Sequence, residues 1–422
     1  MKIAIVGKII PLVPTMPEEF DGYVVVEGNQ ITDIGIGQPE GCFDKVVDGL
    51  KQVIMPGFAN THTHAAMSVF RGVADDLQLQ TWLEREIFPR EARLTPEIVY
   101  WATKLAIAEF LLGGVTCFAD MYFFMDEVAR AVSETGIRAC LSKGLVSFSG
   151  EKEIEVGRAF CQRWQGEARG RIHTMLGPHA IYTCPPAFME KVVAVASERH
   201  IPIHMHVSET KKEVSDCVSQ NGGTPVEVLN RLGAFEVPFI AAHCVHLEDE
   251  DMEIMAKKGV FPALNISSNF KLASGMPRVE AMEKAGLRMT IGTDGPASNN
   301  DLDMFEEMRW TSFCGKVTGN PQSVPAYRAL EMATKNGAHA MGWKNLGIIA
   351  PGQIADIVVL DYSSPRLNPV YSCLSHVVYA GNPGDVMHVM VDGEFVVWNR
   401  KIITFDVQET IEKVNEFARG FA

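Results

Sequence analysis

Histidines recur in this sequence directly after short apolar runs, together with one aspartate. These residues are His62, His64, His179, His204, His206, His243 and Asp294. A single histidine in such a place is more often a hydrogen-bonded core residue than a ligand, and a single aspartate after Gly-Thr is usually a turn residue. The pattern occurs at five separate runs in a chain with only 12 histidines. It therefore favours a metal site.

Two histidines of one predicted strand are the first candidate ligands. His62 and His64 are two residues apart, so both side chains point to the same face. We predict that His206 and Asp294 complete the set. His204 shares a face with His206 and is a rival ligand. Three imidazoles and one carboxylate suit one divalent ion, with Zn²⁺ first and Fe²⁺ as the alternative.

Three polar residues have the chemistry to act beside such a metal. The metal lowers the pKa of a bound water and generates hydroxide at neutral pH. Asp294 can accept the proton of that water, His243 can orient the hydroxide, and Glu209 can carry a proton to the substrate. Glu209 also favours His206 over His204 as the ligand, because it follows His206 by three residues. The sequence predicts metal-assisted hydrolysis.

Eight apolar runs alternate with helical patterns and must position these residues. The runs are 53–59, 115–119, 137–142, 172–176, 201–207, 239–245, 260–266 and 288–292. Eight strand–helix units predict a (β/α)8 TIM barrel, an α/β fold whose active site lies at the carboxyl ends of the strands. An open, doubly wound sheet is the alternative that periodicity leaves open.

Helix signals lie between the runs. Thr95-Pro96-Glu97 is typical of a helix start and Gly113-Gly114 of a helix end, so we expect a helix from Pro96 to Leu112. Further helices are expected over 185–199, after Thr224-Pro225, and over 249–257, where acidic residues begin the segment and lysines end it.

The two ends of the chain have a different pattern. Residues 1–52 and 353–405 alternate apolar and polar residues and contain turn signals, as antiparallel strands do. We expect both ends to pair into one small β-sandwich, with the barrel inserted between its halves. The expected domains are 1–55 and 346–422 for the sandwich and 56–345 for the barrel.

Composition excludes several classes of protein. The formal net charge of −14 repels phosphate backbones, so nucleic acid is not an expected partner. The nine cysteines are odd in number and widely spaced, which fits a reducing cytoplasm better than a disulfide framework. The apolar start is interrupted by Lys8 and predicts a strand, not a signal peptide. No apolar run is long enough for a membrane span.

The motifs together resemble the amidohydrolase superfamily. They are PGFANTHTH at 56–64, HVSE at 206–209, HCVH at 243–246, TDGPASNN at 293–300 and PGQIAD at 351–356. The resemblance covers essentially the whole chain and implies the barrel and the two-ended sandwich. Some members hold two metals bridged by a carboxylated lysine on strand four. Here strand four ends in His179, which resembles the single-metal deaminases.

Within that branch the chain most resembles 5′-methylthioadenosine/S-adenosylhomocysteine deaminases. The resemblance implies that Glu91 holds the ribose hydroxyls, that Trp82 and Ser298 line the pocket, and that His179 contacts the nucleoside. Without the motifs, Trp82 and Glu91 would be read as a helix-surface pair. Lys143 stands where the family has arginines for the homocysteine carboxylate, and a lysine offers only a point charge.

The resemblance implies hydrolytic deamination of an adenosine to the inosine analogue and ammonia. The expected substrates are 5′-methylthioadenosine, S-adenosylhomocysteine, 5′-deoxyadenosine or adenosine, and the expected assembly is a homo-oligomer, a dimer or a tetramer. The same site could serve a guanine deaminase or a chlorotriazine hydrolase. A third alternative is a non-catalytic scaffold, which typically loses ligands that this chain keeps. The other zinc deaminase design, which combines H-x-E with P-C-x-x-C, is absent because the sequence has no P-C-x-x-C.

Overall fold

The strands of the computed structural model, which describes residues 1–421, form two sheets. In chain order the strands are β1 (Lys2–Ile9), β2 (Phe20–Glu27), β3 (Gln30–Ile36), β4 (Lys45–Pro56), β5 (Phe58–Thr63), β6 (Val115–Tyr122), β7 (Arg138–Leu145), β8 (Ile172–Pro178), β9 (Ile203–Val207), β10 (Phe239–His243), β11 (Phe261–Leu264), β12 (Thr290–Ile291), β13 (Ile357–Asp361), β14 (Val386–Val391), β15 (Glu394–Trp398) and β16 (Lys401–Ile402). β5 to β12 pair in parallel and in sequence order.

This parallel sheet closes on itself into a barrel. The Thr61 hydroxyl of β5 lies 2.8 Å from the Thr290 hydroxyl of β12 and donates to the Ile291 carbonyl at 2.9 Å. The Asp294 amide donates to the His62 carbonyl at 3.0 Å. The barrel prediction is therefore confirmed, and the open doubly wound alternative is wrong because the first and last strands are joined.

One of the eight predicted runs is divided between two sheets. Residues 53–56 end β4 in the other sheet, and β5 of the barrel begins at Phe58. Gly57 lies at the junction, where an added Cβ would lie 2.2 Å from the Thr116 hydroxyl oxygen. The close approach of the neighbouring strand requires a glycine here, and the chain passes from one domain to the other without a loop.

Both chain ends join in the second sheet, as predicted, but one of its strand pairs is parallel where antiparallel strands were expected. Its order is β16-β15-β14-β13-β4-β1-β2-β3, in which β1 and β4 are parallel and the other neighbours are antiparallel. β4 and β13 pair directly, so the two halves share one continuous hydrogen-bonded sheet. Its strands enclose one apolar core that includes Ile5, Val24, Ile357 and Met390.

Helices follow the barrel strands and cover the outside of the barrel. The α-helices are α1 (Leu79–Trp82), α2 (Phe88–Glu91), α3 (Pro96–Leu112), α4 (Met125–Thr135), α5 (Lys152–Trp164), α6 (Glu167–Gly170), α7 (Pro186–Arg199), α8 (Lys211–Asn221), α9 (Pro225–Arg231), α10 (Asp249–Lys258), α11 (Ile266–Lys271), α12 (Val279–Lys284), α13 (Met304–Lys316), α14 (Ala326–Glu331), α15 (Gly337–Ala340), α16 (Cys373–Tyr379) and α17 (Val407–Ala418). Single π turns at Leu83–Ile87 and Met332–Asn336 continue α1 into α2 and α14 into α15. Short 3₁₀ turns occupy Ala65–Phe70, Ser147–Ser149, Ala234–Glu236, Pro365–Leu367 and Pro383–Asp385.

At two of the predicted helix starts, a threonine side chain caps the helix. The Thr95 hydroxyl accepts the Ile98 amide at the start of α3. Thr224 and Glu227 form a reciprocal capping box at the start of α9, which satisfies amides that a helix start leaves free. No helix among residues 1–421 is both long enough and apolar enough to cross a bilayer.

Candidate active site

The four predicted ligands converge at the carboxyl end of the barrel. His62 lies near the end of β5, His64 directly follows that strand, His206 lies in β9, and Asp294 follows β12. Asp294 Oδ1 lies 3.5 Å from His62 Nε2 and 3.4 Å from His64 Nε2. His206 Nε2 lies 3.2 Å from His64 Nε2. Three imidazole nitrogens and one carboxylate oxygen therefore face one point from three different strands.

In each of the three histidines, the Nδ1 atom faces away from the cluster and has a partner that fixes the orientation of the ring. His64 Nδ1 donates to the Met121 carbonyl at 2.6 Å, and His206 Nδ1 donates to the His179 carbonyl at 2.7 Å. His62 Nδ1 lies 2.8 Å from His204 Nε2. His204 thus lies behind His62, with its Nε2 engaged there. These contacts leave each Nε2 directed at the cluster, as in known metal sites.

The donor set fits a divalent metal. His62 Nε2 is buried and has no hydrogen-bond partner among the described residues. Burial lowers the pKa of His62 to about 3 and that of His206 well below its usual value. Both rings are therefore neutral at physiological pH, which is the form that binds Zn²⁺ or Fe²⁺. A buried, unpaired acceptor beside a carboxylate is what such an ion would satisfy.

Asp294 is held in one orientation by its neighbours. Its backbone has a positive φ of 60°, which is uncommon for any residue but glycine. The hydroxyls of Ser268 and Ser298 donate to Oδ2 at 2.6 and 2.8 Å, and the Gly295 amide donates to Oδ1 at 2.7 Å. Burial raises its pKa, but the close approach of His62 and the other nearby histidines outweighs this effect and holds the pKa well below the usual value. Asp294 is a carboxylate.

His243 presents an N–H group to the site. The Asn269 amide nitrogen lies 2.9 Å from His243 Nδ1. Because an amide nitrogen can only donate, Nδ1 is the acceptor and the ring proton is on Nε2. That Nε2 lies 3.8 Å from Glu209 Oε2. His243 is thus a hydrogen-bond donor that lies beside the predicted metal ligands and beside Glu209, the predicted acid.

Glu209 is a buried acid at the rim of the cluster. Its side chain is 6% exposed, and Oε1 accepts the Ser274 hydroxyl at 3.0 Å. Burial, with the nearby negative charge of Asp294, raises the pKa of Glu209 to about 8. A carboxyl group with this pKa carries a proton at neutral pH and can donate it.

A second buried glutamate fixes the backbone of the first. Glu213 in α8 accepts the Ser208 amide at 3.0 Å and the Glu209 amide at 2.7 Å. Ser208 has a positive φ of 53°, so the corner between β9 and α8 needs such support. We identify Glu213 as a positioning residue that sequence reasoning missed.

A cavity of about 930 Å³ extends outward from the cluster. Among its lining residues are the five that the resemblance implied for substrate: Trp82, Glu91, Lys143, His179 and Ser298. Trp82 is the last residue of α1, and Glu91 is the last residue of α2, which follows α1 after the π turn. The structure therefore brings these five residues to the cavity that His64, His206, Glu209, His243 and Asp294 also line, whereas His62 lies behind its wall. Within it, Ser298 bonds to Asp294 and Lys143 pairs with Glu153.

Tyr122 is a lining residue that sequence reasoning missed. It ends β6, is 3% exposed, and has a hydroxyl group without a well-formed hydrogen bond among the described residues. The hydroxyl lies beside Glu91. Burial raises the pKa of Glu91, and this hydroxyl opposes that effect. An unsatisfied phenol next to a carboxylate in a cavity is typical of a ligand site.

The pKa of Glu209 predicts a pH dependence. If Glu209 donates a proton in the reaction, its active form is present below the raised pKa of about 8 and is lost above it. We expect kcat/KM to fall about tenfold per pH unit above this value. Initial rates at a fixed low substrate concentration from pH 6 to 10 measure the profile. A rate that stays constant to pH 10 would contradict Glu209 as the proton donor.

Comparisons with known proteins agree with this geometry. Residues 53–396 match the amidohydrolase family. A 5-methylthioadenosine/S-adenosylhomocysteine deaminase of Syntrophomonas wolfei is 49% identical over 404 residues, which are 94% of each chain. One of Dictyoglomus thermophilum is 46% identical over 89% of each chain. The crystal structure of an adenosine deaminase from Xanthomonas campestris with bound zinc superimposes with a TM-score of 0.94 at 33% identity, covering 99% of this chain and 98% of that one.

Proposed function

The chain belongs to the amidohydrolase family, and from this premise we propose that it hydrolytically deaminates adenosines modified at the 5′ position. The products are the inosine analogue and ammonia. The observation that carries the proposal is the arrangement of one cavity. A metal-type cluster and the buried acid Glu209 lie at its inner end, and Glu91, a carboxylate suited to ribose hydroxyls, lines the same space.

We propose that one Zn²⁺ per chain is held by His62, His64, His206 and Asp294, and Fe²⁺ suits the same donors. The ion would supply a water of lowered pKa and thus a hydroxide nucleophile at neutral pH. The protein's part is to place three neutral imidazoles and one carboxylate around it.

The proton transfers use three side chains. Asp294 is ionised and accepts the proton of the attacking water. His243 directs its Nε2–H group at the nucleophile and holds it in line with the purine C6. Glu209 carries a proton at neutral pH and delivers it to the purine N1, which makes C6 more electrophilic. When the C6–N bond breaks, the proton held by Asp294 passes to the departing amino group, which leaves as ammonia. The remaining hydroxyl proton at C6 restores the acid form of Glu209. Their buried, hydrogen-bonded positions mean that little reorganisation is needed during the reaction.

The other lining residues hold the nucleoside. The Glu91 carboxylate accepts the two ribose hydroxyls, and the Tyr122 hydroxyl beside it provides a further polar contact. Trp82 supplies an apolar wall. His179 directs its Nε2 at the purine, because its Nδ1 is paired with the Thr183 hydroxyl at 2.9 Å.

Replacing Glu91 by alanine tests the nucleoside assignment. We expect KM for 5′-methylthioadenosine to rise about 10- to 100-fold, because two hydrogen bonds to a charged acceptor are lost. Steady-state kinetics on adenosines and on free adenine measure the effect. Activity on a ring without ribose, such as guanine or a triazine, should be insensitive to this change. An unchanged KM for nucleosides would favour a free-base or triazine substrate instead.

The cysteines and one exposed aromatic patch bear on the cellular location and on the oligomeric state. We propose a cytoplasmic location, because all nine cysteines are free and eight are buried. We also propose a homo-oligomer, a dimer or a tetramer. The exposed aromatic side chains Phe270, Trp310 and Phe313 lie next to one another, as at protein interfaces. Light scattering measures the mass of the assembly. The expected domain boundaries, 1–55, 56–345 and 346–422, stay a proposal.

A further inference from the structure

The cavity offers more space than a nucleoside alone fills. Its volume of about 930 Å³ is near the upper end of the range of about 300–1,000 Å³ for small-molecule sites. Its more exposed lining residues include Phe124, Phe148 and Val156. We call the part of the cavity between these residues, Phe160 and Lys143 the outer chamber. A 5′ substituent of the bound nucleoside would point here, because the purine ring must lie at the metal end. The walls of this outer chamber therefore decide which substituent is accepted.

One face of α5 forms a wall of the outer chamber. Glu153, Val156, Phe160 and Arg163 all line the cavity, and their spacing places them on the same side of the helix. Two of these residues are apolar and two are charged. The charged residues lie at opposite ends of the row, so the wall can recognise both an alkyl group and a charged group.

Both cations that line the cavity already have carboxylate partners. Lys143 Nζ lies 2.5 Å from Glu153 Oε2, with the two side chains 16% and 31% exposed. Arg163 Nη1 lies 2.5 Å from Asp126 Oδ1, and both of these side chains are more than half exposed at the mouth. The positive charge of Lys143 is thus neutralised by Glu153 at the place that a 5′ substituent would reach. An arriving carboxylate would have to displace Glu153 from Lys143.

We infer that Glu153 is a specificity-determining residue that reserves the outer chamber for uncharged, apolar 5′ substituents. The inference rests on the proposed deaminase function and narrows its substrate class. An alkyl thioether buries its surface against Phe124, Val156 and Phe160, which is favourable because apolar surface is removed from water. The carboxylate of an amino-acid group would have to compete with Glu153 for Lys143, so it gains little from the cation near it in the outer chamber. 5′-Methylthioadenosine is therefore the preferred substrate over S-adenosylhomocysteine.

The test is the substitution Glu153→Gln, which keeps the size of the side chain and removes its charge. We expect kcat/KM for S-adenosylhomocysteine, divided by that for 5′-methylthioadenosine, to rise at least tenfold. Glu155→Gln is the matched control. Glu155 is on the same helix and pairs with Arg158, with its side chain 60% exposed, and it does not line the cavity. The ratio should stay at the wild-type value in that variant.

A second variant tests whether the effect of Glu153→Gln depends on Lys143. In a Lys143→Met background, Glu153→Gln should no longer raise the ratio, because there is no cation left to release. Wild-type preference for S-adenosylhomocysteine, or an unchanged ratio in Glu153→Gln, would overturn the inference while leaving the deaminase assignment intact. Failure of the wild-type enzyme on every adenosine would instead overturn the proposed function on which it rests.

Discussion

Glutamine in place of Glu209 is expected to lower kcat for 5′-methylthioadenosine by about 10³-fold or more. Positioned acids and bases typically contribute about 10²- to 10⁴-fold, and an amide has no proton of suitable acidity to deliver. The substitution keeps the shape of the side chain, and the backbone at this corner remains held by Glu213. The loss should therefore appear in kcat, with little change in binding. Single-turnover and steady-state kinetics measure it.

Two controls separate a chemical loss from a structural one. Metal content per chain, measured by atomic emission, should be unchanged in Glu209→Gln, because Glu209 is not among the proposed ligands. Ser274→Ala removes only the hydroxyl that donates to Glu209, so it should cost far less activity. Full activity in Glu209→Gln would show that another group donates the proton.

Removal of the metal is expected to abolish turnover and to lower the melting temperature. The four proposed ligands are packed within a buried cluster, in which His62 Nε2 has no other partner among the described residues. A bound ion stabilises the folded chain by RT ln(1 + [L]/Kd), about 4 kcal/mol at a thousandfold excess over Kd. Dialysis against a chelator, followed by an activity assay and a thermal melt, measures both effects.

Restoration by added Zn²⁺ or Fe²⁺ distinguishes metal loss from damage. Both the rate and the melting temperature should recover with about one equivalent of metal per chain. In His206→Ala, added metal should restore neither fully, because one of four donors is missing. A chain that stays active after its metal content has fallen below about a tenth of an equivalent would contradict a metal-dependent reaction.

The parts of the site that lie on strands could be predicted from the sequence. The alternation of side chains along a strand puts His62 and His64 on one face, and a barrel gathers its strand ends at one mouth. These two rules place the four proposed ligands, Glu209 and His243 at this mouth without any coordinates. The helix starts at Thr95 and Thr224 were also predictable, because capping depends on residues only three positions apart.

The residues that orient the site could not be predicted in this way. Asn269 bonds to His243, 26 positions away, and Glu307 accepts the Ile266 amide and the Asn299 side chain from two different loops. Such contacts depend on how loops from separate strands meet, which no local pattern encodes. The stretch Asn265-Ile266-Ser267-Ser268-Asn269, polar directly after a barrel strand, was the available signal. The Lys143–Glu153 ion pair could not be predicted from the sequence for the same reason.

The central claim is that this cavity deaminates an adenosine carrying a 5′ substituent. The most direct measurement is the ultraviolet absorbance of the zinc-loaded protein with 5′-methylthioadenosine, 5′-deoxyadenosine, adenosine and S-adenosylhomocysteine, with guanine as the outgroup. We predict loss of adenine absorbance with the first three and release of one ammonia per product, fastest with 5′-methylthioadenosine. No change with any adenosine, in protein shown to hold its metal, would contradict the claim.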